Sequence, residues 1–354
     1  MKKILLTLLI IGFTNAFSQT KKDYSFAYST DSIIRTGFGH YEKGQYNEAI
    51  NEFKKIAKSD PKYLVAQHEI ALSLYANDKK EELLKHFETL YNEGKMKEQP
   101  SLYTLYGTYY SDEKDFDKAE KIFNEGEKYL SNSSNFLYNQ AILYLRKNDL
   151  QKSADILKKA VTLNPNLASG HYFLGSIALE NGNIVEGSLA LLSYLAISPT
   201  GKFAEEAVLK LNKKFGENYL TKGKVVFNTS GDNYEELETI LRNQLPLRKA
   251  YKLKTEIDDV IMRQMQAVME YSLEHKMGTG FFETTYLPWI KDVVEKKQFE
   301  GFSYYMLLGL EEKLGKEITK HKKVVTSFYE KYYMVDFWNQ YAKRTMDHFG
   351  KKQE

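Results

Sequence analysis

There is no cysteine among the 354 residues. Its absence excludes disulfides, thiolate metal ligands, a thiol nucleophile and a lipid-modified N-terminal cysteine. Proline is scarce, six in all. Pro61, Pro165 and Pro199 fall where a helix would have to stop, and Pro100 where one can begin. No excess of one charge exists either: 50 basic against 47 acidic residues leave a net +3, too little to favour nucleic acid. The basic stretch Lys320 to Lys323 reads as a solvated helix face. Motifs of catalysis are equally thin. His68-Glu69 does not continue to a second histidine, because position 72 is Leu72, and Gly37-Phe38-Gly39 and Gly278-Thr279-Gly280 lack the third glycine and the preceding strand of a nucleotide fold. No enzyme activity, catalytic residue, metal or cofactor is therefore expected.

What is present begins with a leader. Lys2 and Lys3 precede an apolar run from Ile4 to Phe13, followed by Ala16-Phe17-Ser18. That order of basic, apolar and small residues is a secretory signal, too short to span a membrane. Residues 1–18 are expected to be removed, leaving Gln19 first, which resembles leaders common in Bacteroidota. The expected product is exported, in the periplasm or associated with the outer membrane, without a lipid anchor or a membrane span.

From Thr30 to Pro199 one pattern returns five times. A small residue stands at Gly37, Ala71, Gly107, Ala141 and Gly175, in steps of 34, 36, 34 and 34 residues. Two helices of about a dozen residues with two short turns fill such a period. The third copy reads Tyr103, Tyr106, Gly107, Tyr110, Ala119 and Phe123, the fifth His171, Leu174, Gly175, Ala178, Gly187, Leu191 and Pro199, and the first Gly37, Ala49, Phe53 and Pro61. Copy two is the weakest, with Leu83 where alanine is usual and a longer loop expected around Glu93 to Gln99. The spacing resembles the tetratricopeptide repeat, and the chain as a whole resembles exported repeat proteins of Bacteroidota. The resemblance implies an all-α fold: a solenoid of about five helix pairs with a capping helix, then a non-repetitive helical C-terminal domain. In such repeats the first helices line a concave groove. Carried over position by position, the groove would hold Ile34, Phe38 and Tyr41 of copy one, His68, Leu72 and Tyr75 of copy two, Tyr138 and Asn139 of copy four, and Tyr172 of copy five. Copy three contributes the polar Thr104, Thr108 and Ser111. The lysine, asparagine and arginine set with which some members clamp a peptide carboxylate is missing. Packing on the next repeat is the competing role for each residue. Asp31-Ser32-Ile33 resembles a short O-glycosylation signal of the same bacteria.

Beyond Pro199 the register is lost. Phe203, Ala207, Leu211 and Phe215 keep a four-residue spacing suited to a cap over the last pair. The expected organisation is a short leader at 19–29, the capped solenoid at 30–220, a linker or short strand at 221–231 around Val225-Val226-Phe227, a helical domain at 232–349 and a polar tail at 350–354. Helices are expected from Leu237 to Leu241, from Leu253 to Leu273, from Thr284 to Lys296, from Phe302 to Leu314 and from Glu317 to His348. The last carries two apolar stripes, one of Val325, Phe328, Tyr332 and Val335 and one of Tyr329, Tyr333, Phe337 and Tyr341. The leading expectation is a scaffold that holds a protein or peptide partner, in envelope assembly, secretion or outer-membrane complexes. The alternative is a cell-wall glycan-binding or glycan-processing protein, with Phe281, Phe282, Tyr286, Trp289 and the last helix's stripes stacking on sugar rings, although core packing is the preferred role for these side chains.

Overall fold

Five turns of one geometry organise the repeated half. The structure is a computed structural model that describes residues 29–216, 231–276 and 278–332, and every regular element among them is helical. The helices pair as α1 (Thr30–Glu42) with α2 (Tyr46–Phe53), α3 (Tyr63–Ala76) with α4 (Lys80–Asn92), α5 (Ser101–Asp112) with α6 (Phe116–Leu130), and α9 (Ala168–Glu180) with α10 (Ile184–Ile197), while α7 (Ser134–Arg146) and α8 (Leu150–Leu163) follow one another along the chain. Between the partners stands a left-handed residue at the same place in every copy: Gly44, Asp78, Lys114, Asn148 and Gly182, with φ of 74°, 55°, 63°, 60° and 84°. The left-handed step turns two N–H groups back onto the end of the first helix. In copy one Gly44 N–H donates to Tyr41 O and Gln45 N–H to His40 O, both at 2.9 Å, and copies two, three and five repeat the pair of bonds. The last carbonyls of the first helix are thereby satisfied without solvent. Asp115 and Asp149 then cap α6 and α8, accepting from the N–H groups of Lys118 and Lys152.

Contacts divide the chain into two units, Met1–Lys147 and Asn148–Glu354. In the first, α1 packs on α2, α2 on α3, α3 on α4 and α5, and α5 on α6 and α7, so consecutive pairs stack as in a repeat solenoid. The small residues set the spacing within a pair. A β-carbon added at Gly37 would lie 2.5 Å from the Phe53 ring, and one at Gly107 2.8 Å from the Phe123 ring, so only glycine admits these rings at that distance. The two-residue insertion after copy two forms a compact 3₁₀ turn at Lys95–Lys97, entered through Gly94 and pinned by the buried Met96.

In the second unit α8 packs on α9, α9 on α10, and α11 (Ala204–Gly216) on both α9 and α10, with its Ala207, Val208, Leu211 and Phe215 buried. The same unit holds α12 (Glu235–Arg242), α13 (Val260–Glu274), α14 (Phe281–Glu295), α15 (Phe299–Tyr305), α16 (Glu311–Lys320) and α17 (Lys322–Tyr332). α14 lies against α10, α13 against α11 and α14, and α17 against α15. Lys297, with φ of 55°, repeats the left-handed turn between α14 and α15: its N–H reaches Val294 O and that of Gln298 reaches Val293 O. One repeat-type turn thus recurs where the sequence shows no 34-residue register.

Three helix boundaries differ from the expectation. The helix expected from Leu253 begins only at Val260, because residues 251–258 alternate between half-buried and exposed, the signature of extended chain. Gln266 and Tyr304 supply that segment's backbone partners: Gln266 accepts from Lys254 N–H and donates to Lys252 O, and Tyr304 Oη accepts from Glu256 N–H. Asp259 then caps α13. The helix expected over 302–314 is two helices, α15 and α16, joined by a 3₁₀ turn at Leu308–Leu310, and the last expected helix breaks at His321 between α16 and α17. The leader, residues 217–230 with Val225-Val226-Phe227, and the chain from Tyr333 onward with Val335, Phe337 and Tyr341 lie outside the described residues.

Candidate binding surface

In the first unit the first helices stand side by side, α3 against α5 and α5 against α7. A polar chain runs across them. The Tyr75 hydroxyl on α3 donates to the Asp112 carboxylate on α5, and Asp112 Oδ1 receives the Arg146 guanidinium of α7 at 2.6 Å. Arg146 Nη1 also donates to Ser111 Oγ at 2.8 Å. Burial, and then the charge of Asp112, pushes the Tyr75 hydroxyl well above its usual range, so it stays a donor. The chain ties three successive copies across one face. Asp112 and Arg146 were not among the sequence-derived site residues, although they stand one repeat length apart with opposite charge, a signal available in the sequence.

On α1, α3 and α7 several of the groove candidates keep part of their surface open. Ile34, Phe38, Tyr41, Tyr75, Tyr138 and Asn139 are all half-buried. The Phe38 ring meets Phe53 edge-on at 5.8 Å and Tyr41 meets Tyr46 edge-on at 5.3 Å, which fixes both without covering them. Burial raises the Tyr41 hydroxyl above its usual range, with smaller contributions from Tyr46 and Glu69. Asn139 is oriented by its Nδ2 donating to Asn135 O at 2.8 Å. Thr104 and Ser111 are buried, and the half-buried Thr108 donates to Thr104 O. Ser32, of Asp31-Ser32-Ile33, is exposed in the first turn of α1.

The remaining groove candidates are taken up by packing. His68 is 3% exposed, with Nδ1 at 3.0 Å from Glu69 Oε1, and Leu72 is buried beside it. Tyr172, in the second unit, is stacked on Phe203 at 4.2 Å and touches Tyr194 edge-on, so the segment entering α11 covers it. Most of the rings named for sugar stacking are core as well, with Phe281 half-buried. Phe282, Tyr286 and Trp289 are each at most 1% exposed. Trp289 Nε1 donates to Ser193 Oγ at 2.9 Å, joining α14 to α10. Phe328 and Tyr332 of the last helix are buried and Tyr329 is exposed. Among the described residues no three His, Asp or Glu side chains are grouped to hold a metal ion.

A family model for the tetratricopeptide repeat matches residues 100–129 and 134–167. These two segments are tetratricopeptide repeats. Residues 100–129 cover α5 and α6, and 134–167 cover α7, α8 and the turn after them. No curated protein matches the chain. A tetratricopeptide array acts by presenting a face to another protein. No helix among the described residues is long and apolar enough to cross a membrane.

Proposed function

We propose that this protein is an exported, non-catalytic scaffold that holds a protein partner on the first-helix face of its tetratricopeptide repeats, as part of an envelope assembly. The observation that supports this most is the set Phe38, Tyr41, Tyr75 and Tyr138, carried on three of the first helices, α1, α3 and α7, and left half-open. Tyrosine joins a large flat contact to a hydrogen-bonding tip at low conformational cost, which suits an extended peptide or one face of a helix. Export rests on the basic, apolar and small-residue order of residues 1–18.

The binding test is capture of envelope proteins by the mature chain, compared with a variant carrying Phe38→Ala, Tyr41→Ala and Tyr138→Ala. Half-buried residues at an interface centre typically cost about 1 to 2 kcal/mol each when truncated, so retention of the partner should fall by at least about tenfold. Equal retention by a variant of unchanged helicity removes this face from the reading. Cell fractionation tests export separately. Recovery of full-length chain beginning at Met1 in the cytoplasmic fraction would refute that part alone.

A further inference from the structure

The N-terminus of α10 carries two carboxyl groups, both drawn out of water. Glu238 of α12 accepts the N–H of Val185 at 3.0 Å and pairs with Arg242 Nε at 3.2 Å, and Arg242 Nη2 donates to Gly182 O at 3.1 Å. α12 therefore grips this helix end at two points. Glu186, in the same first turn, is 5% exposed, and its Oε2 has no hydrogen-bond partner. Two further buried oxygens nearby are in the same condition. Asp232 gives Oδ1 to the Glu283 N–H at 2.8 Å, capping α14, and leaves Oδ2 unpartnered. Tyr234, 4% exposed and stacked on His275, leaves its hydroxyl unpartnered.

The groups that face Glu186 come from four directions. Glu238 and Arg242 belong to α12, Asp232 and Tyr234 to the segment before it, Lys158 to α8, and Glu283 with its partner His275, at 2.9 Å, to α14 and the end of α13. Lys158, held over the Phe281 and Phe282 rings at 5.7 Å, is the cation whose field reaches Glu186 and Asp232. A helix N-terminus favours about half a negative charge. Glu238, itself raised by burial but favoured in its charged form by the Val185 N–H and Arg242, competes for that site, so a second charge on Glu186 is left with only its own backbone N–H and the Asn183 side chain as donors and no solvent to stabilise it.

We propose that Glu186 and Glu238 form a proton-operated latch, in which α12 stays seated on the start of α10 while Glu186 is protonated and comes away when that proton passes to solvent. Burial first, and then the charge of Glu238, lifts Glu186 to about 8, and burial lifts Asp232 to about 6. Both shifts have the same sign. A carboxyl group raised in the seated state favours seating fully at pH below the free value, and that contribution is lost as pH rises towards the raised one. The latch is closed in mildly acid solution and opens in mildly alkaline solution.

Amide hydrogen exchange on the full chain reads the latch directly. Protection of α12 and of the first turn of α10 should fall by at least about tenfold between about pH 6 and pH 9, while that of α9 holds. In Glu186→Gln, which keeps the shape and removes the charge, α12 should stay protected throughout. Glu238→Gln removes the opposing charge, and if Glu186→Gln does not fold it serves in its place, with the opening moved to higher pH. A carboxyl ¹³C titration should put the Glu186 midpoint near 8. The proposal is overturned by protection of α12 that does not change with pH, by the same fall in both variants, by simultaneous loss of α9 protection, or by an ordinary carboxylate midpoint for Glu186.

Discussion

His171 shows what a single side chain decides in the second unit. Its ring is fully enclosed, with Nε2 donating to Pro165 O at 2.8 Å and Nδ1 accepting from the Tyr286 hydroxyl at 2.9 Å. These bonds fix the neutral tautomer and join α9 to α14. Burial pulls the imidazole down to about 4 against an ordinary 6.5. A histidine held low in the fold contributes fully above the unfolded value, and that contribution is lost as pH falls from about 6.5 towards 4. The span corresponds to roughly 3 kcal/mol. Unfolding by urea at a series of pH values should show stability falling over this window. His171→Gln should be less stable at neutral pH but flatter below pH 6.5, and an unchanged slope would remove His171 as the cause.

At the scale of the element, the left-handed turn is the unit that repeats. Lys114 adopts φ of 63° with a full side chain, where glycine meets no steric penalty. Lys114→Gly should raise stability by up to about 1 kcal/mol. Gly44→Val, at φ of 74°, should lower it by about 1 to 2 kcal/mol, because a β-branched residue tolerates that region worst. Equilibrium unfolding of the two variants checks both signs. The sequence marked three of these turns, through the dipeptides Lys43-Gly44, Asn148-Asp149 and Asn181-Gly182. Lys114 carried no such mark, since the neighbouring helices and the two backbone bonds impose the conformation on it.

For the whole molecule the question is what covers α10. Leu189, Leu191, Leu192 and Leu195 are fully buried, and α11, α12 and α14 all lie against that helix. A chain ended after Pro199 loses every one of them. Each leucine returned to water forgoes about 1.5 to 3 kcal/mol, against a typical domain stability of about 5 to 15 kcal/mol. Ending after Gly216 restores α11 alone, without α14 and the bond from Trp289 to Ser193. Thermal unfolding should therefore rank the two shortened chains below the full one, with the Gly216 chain recovering only part of the loss. A Gly216 chain as stable as the full one would assign the cover to α11 alone.

The pairing of helices, the small residues at Gly37 and Gly107 and the turns at Gly44, Asn148 and Gly182 were legible in the sequence, because each depends on residues within one repeat. The open row of Phe38, Tyr41, Tyr75 and Tyr138 was legible as far as repeat position goes. That His68, Leu72 and Tyr172 are closed off was not, since burial depends on neighbours elsewhere in the chain, such as Phe203 over Tyr172. Leu253 and Ile257 misled because a four-residue spacing also fits alternation in extended chain, and only Gln266 and Tyr304, distant in sequence, decide between them. Core packing was the preferred reading of Trp289 in the sequence, but only α14 lying against α10 shows that Ser193 is its partner. Periodicity is a local property that one chain writes down directly, whereas the partner of a buried side chain is fixed only when separate helices meet.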